Sequence, residues 1–162
     1  MKRASRLRWA MPCMVAVAVL ASACSSTPQP KGVDVQGKTP VARYVGTLPC
    51  ADCGSIRTDF TLYSEGDGRP AGFAMREFYL DPLDTKDGGR NFSRTGYWAM
   101  QQGMQGDPNA QVVQLDGDQP ERERYFRKVD EGVLRLLDRN RAELPANLPR
   151  SLLRVPADVP PQ

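Results

Sequence analysis

Residues 56–63 read I-R-T-D-F-T-L-Y, and no other stretch constrains the fold as tightly. Ile56, Thr58, Phe60 and Leu62 fall on one face of an extended chain, and Arg57, Asp59, Thr61 and Tyr63 on the other. A period of two puts one face on a core and the other toward water, the pattern of a half-buried antiparallel strand. No stretch of ten or more residues shows a convincing 3.6-residue period, so helices do not supply the core.

The flanking sequence repeats the theme. Strands are expected over 41–47, 71–80, 92–101, 111–115, 124–129 and 133–137. Turn chemistry separates them: E-G-D-G-R-P at 65–70, polar loops at 81–91 and 102–109, Asp116-Gly117, Asp130-Glu131-Gly132 and Asp138-Arg139-Asn140. Between Met75 and Phe78 the apolar residues change face, which predicts a bulge or bend. Pro145 and Pro149 exclude a long helix over 144–155 and leave a short extended closing segment. About seven strands at this spacing predict an all-β fold, a small antiparallel meander closed into a barrel or half-barrel, with a sandwich as the rival.

The N-terminus reads as an export signal over residues 1–23. Lys2, Arg3, Arg6 and Arg8 precede an apolar run that ends L-A-S-A-C at Cys24. That run is too short to span a bilayer, which takes roughly 20 apolar residues. Small residues before a cysteine resemble the lipobox of bacterial lipoproteins, with Ala21 where Leu is usual. Cys24 is therefore the expected lipidation site, and Ser25 after it points to the outer membrane. Residues 24–40 read as a flexible tether, 41–155 as the folded domain and 156–162 as a disordered tail. Removing the four basic residues of the signal from the 22 Lys and Arg leaves 18 against 19 Asp and Glu. The balance gives no basic surface for nucleic acid.

Export also sets the reading of the cysteines. Cys13 leaves with the signal and Cys24 takes the lipid, so Cys50 and Cys53 remain in an oxidising compartment. A C-x-x-C pair has three common uses: a disulfide, a redox pair or half of a soft-metal site. A disulfide here closes a loop of about four residues and stabilises by roughly 2 kcal/mol at most. A thioredoxin-type role needs a helix after the first cysteine, and residues 58–63 alternate as a strand. Cu(I) prefers thiolate and thioether ligands. The chain has no His, so the candidate Cu(I) ligands are Cys50, Cys53, Met100 and Met104, with Met75 a further soft donor. Disulfide and metal compete, because an oxidised pair offers no thiolate. Without His there is no Ser-His-Asp triad, and Asp116 and Asp118 read as solvated turn residues around Gly117.

Tyr44-Val45-Gly46-Thr47-Leu48-Pro49-Cys50-Ala51-Asp52-Cys53-Gly54-Ser55-Ile56-Arg57-Thr58 resembles the signature of the N-terminal domain of the NlpE family of copper-homeostasis lipoproteins. Gly96-Tyr97-Trp98, residues 112–115, Tyr125-Phe126 and residues 134–138 follow in the order that family shows. The resemblance implies a small lipocalin-like β-barrel, anchored to the outer membrane and facing the periplasm, with a part in copper tolerance and envelope-stress sensing. The expected function is that of a non-enzymatic lipoprotein whose cysteine loop senses or buffers copper or thiol state. The alternative is a lipocalin-like binder of a small apolar ligand or lipid, with a structural disulfide and a cavity lined by Phe60, Phe73 and Trp98. Expected partners are the membrane through the lipid anchor, copper, and another envelope protein met through an exposed strand edge.

Overall fold

The computed structural model describes residues 32–80 and 89–157. The export signal, Cys24, the tether up to residue 31, loop residues 81–88 and the end of the tail lie outside the described residues. Nine strands carry the fold: β1 (Thr39–Leu48), β2 (Ser55–Ser64), β3 (Pro70–Leu80), β4 (Arg90–Gly96), β5 (Trp98–Met104), β6 (Asp107–Leu115), β7 (Arg124–Lys128), β8 (Val133–Leu136) and β9 (Ser151–Val155). Among the described residues there is no helix. The sheet order is β4-β3-β2-β1-β9-β8-β7-β6-β5, antiparallel throughout.

That order explains the architecture. β1 to β4 form one meander and β5 to β8 a second. β9 lies between them and pairs with both β1 and β8. The segment expected to close the fold therefore does so, by supplying backbone donors and acceptors to two strands at once. The outer strands β4 and β5 follow each other in the chain, so the sheet curls until its edges approach. Trp98 Nε1 donates to Tyr63 O at 2.8 Å, and Asp116 N donates to Tyr97 O at 2.8 Å. The result is a curled half-barrel.

Two expectations are corrected. Residues 92–101 do not form one strand: β4 ends at Gly96 and β5 starts at Trp98. A Cβ at Gly96 would overlap Asp116 Oδ1 and lie 2.7 Å from the Phe73 ring, so only glycine lets the chain turn there. Nor is there a bulge between Met75 and Phe78. β2 and β3 pair without a break from Ser55↔Leu80 to Tyr63↔Gly72, and the irregularity sits beside the turn at Tyr63/Ser64. The inward position after Met75 is held by Glu77, which is buried, and the apolar pattern changes face for that reason.

Ile56, Thr58, Phe60 and Leu62 are all buried, as their alternation requires. Phe60 is the centre of the core. Its ring lies 5.7 Å from Tyr44 and 5.5 Å from Phe126, and Phe73, Leu115, Leu134 and Leu152 complete the packing. Burying each large side chain is worth about 1.5–3 kcal/mol. Residues 32–38, read as tether, pack at their valines. Val33 and Val35 are half-buried over Gly72, where a Cβ would come within 2.9 and 3.1 Å of them. Lys38 pairs with Glu65 at 2.6 Å.

Candidate functional site

β1 ends at Leu48, which is buried, and Pro49 has no N–H to continue the ladder. The chain turns through Cys50-Ala51-Asp52-Cys53 and re-enters the sheet at Ser55. Gly54 N donates to Leu80 O at 2.8 Å, which fixes the far side of the turn to β3. Cys50 and Cys53 form a disulfide, with Cα atoms 5.3 Å apart. Both are half-buried against the core, while Ala51 and Asp52 are exposed. The pair is thus a rim feature closing the β1–β2 hairpin, supported from below and open from above.

Beneath this rim the interior is ionic. Glu77 is 5% exposed; its Oε2 accepts from Arg124 Nη2 at 3.2 Å and its Oε1 from Arg124 Nη1 at 2.5 Å. Thr58 Oγ1 lies 3.5 Å from the same carboxylate. Burial works against the Arg124 charge, but the hydrogen bond and charge of Glu77 outweigh it and raise its pKa. Arg94 lies over the Phe73 ring at 4.9 Å and pairs with Asp116, which has no exposed surface and so is not the solvated turn residue expected from the sequence. Burial, then the neighbouring Arg124 charge, lowers Arg94 to about 10, so it remains a cation at neutral pH. Glu77, Arg94 and Arg124, with Leu48, Pro49, Ile56 and Tyr79, line a recess of about 590 Å³ at the cysteine end. The sequence reading missed this layer. The available signal was Glu77 two residues from Met75, continuing the inward row of Ala71, Phe73 and Met75 on β3.

The methionines lie elsewhere. Met100 is exposed on β5 and borders a separate recess of about 670 Å³ with Val41, Tyr44, Leu62 and Trp98. That recess opens at the start of β1. Leu48 lies at its other end, about 23 Å further along at roughly 3.3 Å per residue. Met104 packs on Val112, Tyr125 and Leu137, a cluster separate from the one the cysteines touch. Met75 is buried in the core. The structure brings Cys50 and Cys53 together and brings neither Met100 nor Met104 to them. Among the described residues, no three His, Cys, Asp or Glu side chains gather as a metal-binding group. The cavity expected between Phe60, Phe73 and Trp98 is not formed either. Phe60 and Phe73 have no exposed surface and are packed in the core, and Trp98 is held by Tyr63.

The disulfide rim and the curled sheet around it coincide with a known domain: the model of the NlpE N-terminal domain matches residues 44–147. The chain belongs to the NlpE N-terminal domain family. The match starts within β1 and runs through the disulfide loop and β8, so it takes in the rim and both charged pairs below it. It stops before β9, the strand that joins the two meanders in this NlpE-family domain. No curated protein and no solved structure matches the chain.

Proposed function

We propose that this NlpE-family domain is a non-enzymatic outer-membrane lipoprotein, anchored at Cys24 and facing the periplasm, whose Cys50–Cys53 pair responds to copper and thiol state. One observation carries the reading: among the described residues the one cysteine pair sits at a rim, half-exposed, within the stretch that the family model matches. A disulfide meant only as a staple gains little from so short a loop. The export signal and the small residues before Cys24 support the anchor and the compartment.

The donor chemistry fits Cu(I) only after reduction. An external dithiol gives two electrons and two protons to the disulfide, leaving two thiols here and a disulfide on the donor, and a soft cation then displaces those protons. With Met100 and Met104 remote, the two sulfurs are the soft ligands this loop has to offer. Copper supplies the charge that holds two thiolates side by side. Pro49 and the Gly54–Leu80 hydrogen bond hold the ends of the loop in place during the exchange.

The test is a Cu(I) titration of the full chain after reduction, with Cys50→Ser as control. Stoichiometric uptake that the substitution abolishes supports the reading. Equal uptake by both proteins, or none by either, removes copper from it.

A further inference from the structure

The outer face of the second meander carries a charge cluster that the cysteine rim does not use. Register places Arg127 of β7 opposite Arg135 of β8, and Arg135 opposite Ser151 of β9. Like charges directly opposed across antiparallel strands repel. One carboxylate holds them: Glu143 lies 3.0 Å from Arg127, 3.7 Å from Arg135 and, through its other oxygen, 3.0 Å from Arg150. Asp107 adds a contact to Arg127 at 4.0 Å, the limit of an ion pair. Three guanidiniums therefore face two carboxylates. The local sequence deepens the imbalance. Between 135 and 150 stand Arg135, Arg139, Arg141 and Arg150 against Asp138 and Glu143, and Asp138 Oδ1 already accepts from the backbone of Asn140 and Ala142.

Arg135 is the least satisfied member. Its Nε is buried without a hydrogen-bond partner, and 3.7 Å to Glu143 is too long for a good hydrogen bond. Arg135 and Arg150 border a recess of about 450 Å³ whose other walls include Thr47, Ser151, Leu148 and Pro149. Two arginines and two hydroxyl-bearing residues thus border one small volume, with Arg150 Nη1 donating to Glu143 Oε2 and Leu144 O on one side of its guanidinium. A carboxylate has too few oxygens to use them all. A tetrahedral oxyanion has enough, and its second negative charge offsets the excess of arginine.

We propose that this recess binds a phosphate group, carried by a small molecule or a lipid headgroup, on Arg135 and Arg150 with Thr47 and Ser151. The site lies on the outer face of β1, β8 and β9 and is independent of the cysteine pair. A purely structural ion-pair network would use the same arginines, and Glu143 separates the two cases. As a competing anion, it weakens phosphate binding while it supports the loop.

The probe is inorganic phosphate, titrated into the full chain at constant ionic strength against chloride and followed by NMR, including the arginine Nε–Hε signals. Shifts should concentrate at Thr47, Arg135, Arg150 and Ser151. Arg135→Gln should weaken binding about tenfold, the loss of a charge-assisted hydrogen bond. Ser151→Ala should weaken it about threefold, and Glu143→Gln should tighten it about threefold by removing a neighbouring negative charge. Vesicles with phosphatidic acid, compared with phosphatidylcholine alone, distinguish the sources. The same shifts on acidic vesicles assign a headgroup, and shifts on free phosphate alone assign a soluble ligand. The proposal is overturned if neither probe shifts these residues, or if Arg135→Gln and Ser151→Ala both bind phosphate as the parent does.

Discussion

Tyr44, Phe60 and Met75 form one inward row across β1, β2 and β3; Gly46, Thr58 and Glu77 form the next row toward the cysteine rim. The first row is apolar and closes on Phe126 from the opposite wall. The second is polar and closes on Arg124. Glu77 and Phe60 are buried to nearly the same degree, yet they are held by different physics. An apolar row needs only volume, and its neighbours can adjust. An ionic row is tolerated because each charge has its counter-charge, and removing one leaves the other stranded. The half-barrel is thus packed with hydrocarbon in the middle and plugged by ion pairs beneath the disulfide.

Truncation should show the largest effect in the apolar row. Phe60→Ala should cost about 3–5 kcal/mol, read as a lower urea midpoint, because the cavity cannot collapse among Tyr44, Phe73 and Phe126. A loss under about 1 kcal/mol would mean that the middle of the barrel is already loose. Glu77→Gln should follow, at about 2 kcal/mol, by leaving the half-buried Arg124 without its counter-charge. The double replacement Glu77→Leu with Arg124→Leu should return to near the parental stability or exceed it. If the double variant is as unstable as the single one, the two rows do not differ in the way proposed. Reducing the disulfide should cost about 2 kcal/mol at most and leave the near-ultraviolet signal of the core aromatics in place.

The smallest effect belongs to the β2–β3 turn, away from both rows. A hydrogen bond from Arg69 holds the Asp67 carboxyl below its ordinary range. A depressed folded value gives stability that is present above that range and is lost as pH falls through the folded value. The pair is fully exposed, so Asp67→Asn should move the urea midpoint by an amount near detection at neutral pH and by nothing in acid. A large change would show the turn to be part of the cooperative core.

Much of the wall was legible because strand faces are local. Ile56 to Tyr63 declared their orientation by alternation, and Asp116-Gly117 and Asp130 to Gly132 declared their turns. The C-x-x-C loop stood between two predicted strands and proved to close their hairpin. Met100 and Met104 were misjudged as company for the cysteines, because sulfur chemistry shows in composition and distance does not. The break at Gly96 was hidden for a related reason: it exists to clear Asp116 and Phe73, each about twenty residues away. The Arg135–Glu143–Arg150 cluster was not legible in the sequence, because only the folded chain brings Glu143 between the two arginines.

The sequence by itself determined an all-β chain, the inward residues on β2 and a paired-cysteine loop between two strands, since each depends on neighbours within a few positions, while the disulfide itself came from the structure. Only the tertiary structure decided which strands adjoin and which charges meet. β9 joins two meanders, Glu77 finds Arg124 across the interior, and the cysteine rim stands a barrel's length from Met100. Those pairings are set by the curl of the sheet, and the curl comes from packing summed over all nine strands.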